Sequence, residues 1–476
     1  MSSDLAARAV GLLRPGALGR ALALLLITSM ALAGCHSVRR EPQAPVDPAK
    51  AERMAVFDEV VTTVGAHTAP LLADEVDWEA VVARYRPLAE ASPSTEALYG
   101  TLDRMLSELG ISHMKAVAPT RDDVQAQLME ASEPDPAGAT PSTDAGEAHG
   151  GAATGPQGDA GLDFRWVGDQ LVVRSVKADG PAALAGVTPG MSILRIGDVK
   201  VEKAWPDIYL SVNRMAEAEL LVRRTFLVAC QGVAGETVDI DAVDLSGARR
   251  SFSFPLERKA AKVMSFGHLN VEGELEAATL AGGVGYVRWN VFMMDLMPEL
   301  EKAIRGFKDA PGLVLDLRGN PGGVAAMSGS VGGMLTDKLL NLGVMQSEGM
   351  EMRFPVFPKY GAYLGPVAIL VDGTSASTSE IFAAGLQELG RAVVVGEVSA
   401  GMVLPSLIIE LPDGGLLQYA TALYRTPKGR ILEGKGVTPN VVVEPDPAAW
   451  SRGEDPPVET ARRLVMTLSA GEHPAP

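Results

Sequence analysis

Three runs of this chain are too uniformly apolar to lie at a water surface: Gly312-Leu313-Val314-Leu315-Asp316-Leu317, Pro366-Val367-Ala368-Ile369-Leu370-Val371 and Ala392-Val393-Val394-Val395. A strand with one wet face alternates apolar and polar residues, whereas a strand covered on both faces is apolar throughout. Turns and helical patterns separate the runs. Ile381, Phe382, Gly385 and Leu389 repeat on one face after the second run, and Gly390 follows where a C-cap glycine belongs. Gly285–Trp289 reads as a further strand, and Pro298–Lys308 as a helix with proline near its start. This alternation predicts an α/β unit over residues 258–450, with helices packed on a mainly parallel sheet.

The turn after the second run is Asp372-Gly373-Thr374-Ser375-Ala376-Ser377-Thr378-Ser379-Glu380. A serine-rich turn from strand into helix sets a hydroxyl beside unpaired helix amides, where developing negative charge is stabilised. It therefore suits a serine nucleophile. It also suits plain N-capping, which Ser and Thr commonly perform.

The chain has 476 residues, 47% of them hydrophobic, which is enough for two or three domains. Its net charge of −17 argues against binding a phosphate backbone. Two cysteines, six scattered histidines and no HExxH helix give no metal-site pattern, and nothing points to a cofactor. Residues 1–34 read as an export signal: Arg8, Arg14 and Arg20 precede an apolar core from Ala21 to Ala33, which is short for a stable membrane anchor. Leu32-Ala33-Gly34-Cys35 resembles the bacterial lipobox. That resemblance implies cleavage before Cys35, lipidation of its thiol, and a membrane-tethered protein of the bacterial cell envelope. Cys230 then remains as a buried free thiol.

Residues 35–50, with prolines at 42, 45 and 48, read as a semi-rigid tether. Residues 51–118 carry helical spacing (Met54, Phe57, Val60, Val61, Val64, then Leu98, Leu102, Met105, Leu106) and predict a small helical domain. Residues 119–160 are rich in Ala, Gly, Pro, Asp and Glu and predict a disordered linker. Residues 451–476 are largely polar and read as a frayed tail.

Residues 161–257 resemble a PDZ domain, a β-rich fold, through Gly180-Pro181-Ala182-Ala183-Leu184-Ala185-Gly186-Val187 and Pro189-Gly190 followed by Ile196-Gly197-Asp198. The resemblance implies a peptide-carboxylate loop at Gly161, Leu162, Asp163 and Phe164. Asp163 stands where that loop usually has glycine, and so brings an anion of its own.

Leu315-Asp316-Leu317-Arg318-Gly319-Asn320-Pro321-Gly322-Gly323, paired with Ser375-Ala376-Ser377-Thr378-Ser379-Glu380, resembles the C-terminal-processing (tail-specific) and tricorn-core serine proteases. The likeness covers most of residues 51–445, in that family's order of domains. It implies a crotonase-like core, Ser377 as nucleophile, and an oxyanion hole from Gly322 or Gly323 with Thr378. Ser375 and Ser379 become structural. Tail-specific proteases place their lysine base in a Gly-Glu-x-x-x-Gly-Lys run, but the matching run here ends in Met402, which cannot take a proton. The tricorn arrangement implies instead Ser112-His113 with a late glutamate, here Glu433. His36, His149 and His473 fall in tether, linker and tail, which leaves His67, His113 and His268 and so supports His113, and an imidazole suits a base at neutral pH. The plainer alternatives are a structural histidine, and a turn carboxylate at Glu433 paired with Arg430 or Lys435. Lys435 is a weaker candidate base. Two functions follow: a serine endopeptidase acting on exported or misfolded polypeptides, or a pseudoprotease that keeps the fold as a peptide-binding scaffold.

Overall fold

The computed structural model describes residues 48–72, 76–119, 157–211, 214–258, 262–266, 269–347 and 350–471. The export signal, Cys35 and most of the proposed linker lie outside these residues. The first described segment carries α1 (Pro48–His67), α2 (Trp78–Glu90) and α3 (Thr95–Ser107). Asp77 and Ser94 cap the last two by accepting the N–H of Ala80 and Ala97. Val56, Phe57, Val60, Leu98, Leu102, Met105 and Leu106 close its core, but Leu411, Leu417 and Tyr419 from far along the chain complete it. Lys115–Val117 pairs antiparallel with the strand Leu416–Ala420, and the Thr68 hydroxyl donates to the Ala420 carbonyl at 2.6 Å. The helices are therefore buried against the body that follows them.

Residues 157–258 form a second core around a sheet built from Leu162–Val167, Gln170–Val176, Ser192–Ile196, Thr237–Val243 and Arg249–Pro255, adjacent in that order, with Val199–Lys200 paired to its middle strand. The helix α4 (Met215–Ala229) lies on it through Ala218, Val222 and Phe226, and Cys230 is buried at its end. Gln157–Asp159, expected within the linker, is instead a strand between Gln231–Val233 and Glu257–Arg258.

The third core holds a six-stranded sheet: β1 (Leu275–Leu280), β2 (Val284–Trp289), β3 (Leu313–Asp316), β4 (Val367–Val371), β5 (Val393–Gly396) and β6 (Val441–Val442). They lie side by side in that order; only the first pair is antiparallel. β3 and β4 are buried at every residue, as strands sandwiched between two helical layers must be. One layer contains α5 (Met297–Gly306), α6 (Ala325–Gly332) and α7 (Thr378–Glu388).

The other layer corrects the sequence reading. The supposed tail folds into α8 (Pro456–Ser469), whose Ala461 and Val465 pack on Val284, Val314, Ala368 and Leu370. Asp455 caps this helix and Pro456 occupies its first turn. The polar composition belongs to its outer face; Val458, Ala461 and Val465 recur at helical spacing on the inner one.

Candidate active site

The parallel sheet delivers two turns to one place, since neighbouring parallel strands end at the same edge. β3 runs into Arg318–Gly323 and β4 into Asp372–Ser377. The Asp372 carboxylate accepts the Gly319 N–H at 3.1 Å and the Thr374 hydroxyl at 2.7 Å, and so ties the two turns together. Ser375 donates its hydroxyl to the Leu317 carbonyl at 2.8 Å, and Ser379 donates to the Asn320 carbonyl at 3.0 Å. Both flanking serines are fully buried and committed to holding the turns. Ser379 does this from inside α7 rather than as its cap.

Ser377 differs. It stands at the N-cap of α7 with φ 52° and ψ −118°, a backbone conformation that L side chains rarely adopt and that costs about 1–3 kcal/mol. Its N–H is donated to the Met402 carbonyl at 2.9 Å and to the Glu380 carboxylate at 3.1 Å. The Glu380 N–H has a backbone acceptor, the Ser377 carbonyl at 2.9 Å, so the Ser377 hydroxyl is not needed to satisfy that amide.

Of the two candidate glycines, Gly322 already donates its N–H to Asn320 Oδ1 at 2.9 Å. Among the described residues no acceptor takes the Gly323 N–H, and the Thr378 hydroxyl donates to the Gly323 carbonyl at 2.7 Å. Gly322 matters by being bare. A Cβ on it would stand 2.8 Å from the Ser377 Cβ and 2.8 Å from the Thr378 nitrogen, over the first amide of α7. Its φ of 101° excludes side chains as well. Amides of this kind, at the start of a helix, stabilise an oxyanion.

Ser112, His113 and Glu433 meet although 321 residues separate the first from the last. Glu433 accepts the Ser112 N–H at 2.7 Å, the Ser112 hydroxyl at 3.2 Å and the Val403 N–H at 3.0 Å. The Ser112 oxygen lies 2.7 Å from His113 Nδ1. With its proton directed to Glu433 it would accept from Nδ1–H, the tautomer that leaves the Nε2 lone pair free. Burial lowers the His113 pKa, the Glu433 carboxylate pulls it back up, and the Arg214 guanidinium lowers it further. Neutral imidazole is thus favoured. Neither alternative pairing of Glu433 occurs: Arg430 pairs with Glu388, and Lys435 is exposed.

The two halves join at Met402–Val403, where the lysine of a tail-specific protease was expected and absent. The Met402 carbonyl receives Ser377 and the Val403 N–H is held by Glu433. Glu380, which the sequence reading passed over, organises this loop. Fully buried, it accepts the N–H groups of Gly401 (2.7 Å), Met402 (2.8 Å) and Ser377 together with the Ser399 hydroxyl. Burial is the largest influence on it and pushes its pKa up to about 7, against those hydrogen bonds. The Ser-x-x-Glu spacing from 377 to 380 is a capping-box signal that could have found it.

The 161–164 segment has another character. Gly161 and Phe164 spend their N–H groups on the carboxylates of Asp159 (2.6 Å) and Asp163 (2.9 Å). The Asp163 carboxylate faces Arg223 at 2.7 Å, Arg288 at 3.4 Å and Arg174 at 3.5 Å, and those arginines hold its pKa far below the usual carboxylate range despite its burial. Leu162 and Phe164 point into the second core.

Residues 283–443, which include both turns, Met402 and Glu433, match Peptidase family S41. A carboxy-terminal-processing protease of Bartonella bacilliformis is 31% identical to this chain over 61% of its length and 62% of the relative's. A Streptomyces coelicolor protein provisionally named tricorn protease homolog 2 is 27% identical over 90% of this chain, but only 33% of that protein is covered. The chain spans about three fifths or less of the lengths of these curated relatives. Mature CPAF superposes with a TM-score of 0.60 at 13% identity, covering 90% of this chain and 99% of that one, which is a likeness of fold.

Proposed function

We propose that this chain is a serine endopeptidase that cleaves polypeptides with Ser377 as nucleophile and His113 as general base. One observation carries the reading: Ser377 and the Ser112–His113–Glu433 relay are fastened to adjacent residues of one loop, Met402 and Val403. In the proposed reaction the Ser377 oxygen attacks the peptide carbonyl and His113 Nε2 takes its proton. The amides of Gly323 and Thr378 receive the oxyanion, and His113 returns the proton to the leaving amine. Water then hydrolyses the acyl-enzyme by the same relay. Glu433 and Ser112 stabilise the imidazolium without taking its proton.

Location and presentation belong to this proposal too. The lipobox-like Cys35 would tether the enzyme to the bacterial envelope, so its substrates would be exported or misfolded chains. Among the described residues no helix is long and apolar enough to cross a membrane. We read residues 161–257 as the PDZ module of the enzyme. Its 161–164 loop already holds the carboxylate of Asp163, which argues for peptide capture by strand pairing rather than by terminal-carboxylate binding.

Met402 keeps the scaffold reading alive, since it removes the base that tail-specific proteases use. A fluorophosphonate probe separates the two. Covalent labelling of the wild type that vanishes in Ser377→Ala supports the peptidase; a wild type that takes no label leaves the scaffold.

A further inference from the structure

Arg214 stands just before α4, at its N-cap position, in the 161–257 region, far in sequence from every residue named so far in the relay. Its guanidinium donates to Glu433 Oε1 at 2.5 Å and to the Gly401 carbonyl at 3.0 Å through one nitrogen, and to the Gly110 carbonyl at 2.5 Å through the other. These three acceptors come from three separate stretches. Gly110 lies two residues before Ser112, Gly401 starts the Met402–Val403 junction, and Glu433 closes the relay. A planar fork can reach all three at once; a lysine ammonium on a single stem cannot reproduce that geometry.

We infer that Arg214 is a positioning residue for the catalytic base: it fixes Glu433 against Ser112 and sets the charge that His113 experiences. The inference rests on the peptidase reading above and names a residue from outside the S41 core as part of its working site. Glu433 has only two carboxylate oxygens. Oε1 takes Arg214 and the Ser112 N–H, while Oε2 takes the Ser112 hydroxyl and the Val403 N–H. Removing Arg214 leaves Oε1 to the Ser112 N–H alone, so the carboxylate is held less firmly in the orientation that the Ser112 hydroxyl needs.

The charged groups around the relay come from each element packed on it. Glu433 and Arg214 act directly on His113. Glu217, one turn into α4, interacts with Arg214, Glu433, Lys115 and Asp103, and Glu380 senses Glu433 from α7. Arg214 is the cation of this group that touches Glu433, so its loss leaves an uncompensated anion beside the imidazole. The His113 pKa must then rise, and the protonated, inactive form of the base persists to higher pH.

The test follows the imidazole directly. Histidine-labelled full-length protein is titrated by NMR, His113 being assigned by the signal lost in His113→Gln, and fluorophosphonate labelling rates are measured across the same pH range. Arg214→Gln is expected to shift the His113 titration upward and to slow labelling on the order of tenfold at neutral pH, with the deficit shrinking as pH rises. Arg214→Lys keeps the charge and loses the fork, so its His113 titration stays near wild type while labelling is still slowed. In Arg214→Gln, a deficit that is the same at every pH, with His113 titrating as in wild type, reduces Arg214 to packing and overturns the inference. So does an Arg214→Lys protein that labels at the wild-type rate. A wild type that takes no label sinks the peptidase reading instead, and the NMR titration then still decides whether Arg214 acts on His113.

Discussion

Glu380 concentrates the tension of this site in one side chain. It is a carboxyl group in a fully buried place, and four donors meet it there. Its folded pKa, about 7, stands above the ordinary value of 4.5, so the native state holds its proton more tightly than the unfolded chain does. The stability this group contributes is present in full below pH 4.5 and is lost as pH rises through 7. Glu380→Gln cannot titrate. Urea unfolding of the two proteins should therefore show a stability gap that narrows between those pH values. The variant should also lose about tenfold or more in labelling rate, because an amide turns an NH2 toward donors that need an acceptor. A gap independent of pH would show that Glu380 is not the titrating group. Ser112, His113 and Glu433 were reached only through the family resemblance; the residues legible from the chain itself were those whose role is local. Ser377, Asn320 and Gly322 sit in short turns between strand and helix, and the pattern of such a turn is written in consecutive residues. Arg214 leaves no such mark. Its acceptors come from residues 110, 401 and 433, and a lone arginine ahead of a helix looks like any other.

Among the elements, α8 and the Arg318 turn depend on each other. The Asp455 carboxylate caps α8 and also meets Arg318 at 2.7 and 2.8 Å, while Arg318, almost wholly buried, grips Asp316 at the end of β3. Cap and ion pair together hold the covering helix to the strand that leads into Gly322. Asp455→Ala is expected to cost about 2 kcal/mol in a urea titration, most of it kept by Asp455→Asn, which can still cap. Arg318 lowers the pKa of Asp455, whose contribution is present above its unfolded value and fades as pH falls through the folded one. The gap between wild type and Asp455→Ala should therefore narrow in acid to the part that Asp455→Asn keeps. Equal destabilisation by Ala and Asn would mean that the cap contributes nothing. By composition this stretch reads as a tail, because 451–476 is polar on average, yet it is apolar every third or fourth residue where it meets the sheet. The sheet was easier to read, because strands buried on both faces leave no alternation to mistake.

For the molecule as a whole, three cores share one site. The 48–119 segment is sealed by Leu411, Leu417 and Tyr419, and the 157–258 segment reaches the S41 core through Arg165–Glu397 at 2.8 Å and Arg223–Asp163–Arg288. A cleavage site engineered between residues 130 and 150 tests how firmly the first segment is held. After cutting, the two pieces should co-elute on gel filtration and keep the wild-type labelling rate, since packing and the pairing of Lys115–Val117 with Leu416–Gln418 do not need the connecting peptide. Separation of the pieces, or loss of labelling with the pieces still together, would contradict this.

The 321 residues between Ser112 and Glu433 also set a clock. A chain is made from its amino end, and contacts between distant residues form late because the loop between them must first be closed. His113 emerges early and Ser377 long afterwards, yet the hydroxyl relay that fixes the tautomer waits for Glu433, almost the last part of the core to be made. Until then Ser377 would lack the oriented base that the proposed mechanism gives it. Under that mechanism the enzyme would stay silent until Glu433 is in place, which would spare the unfinished chain.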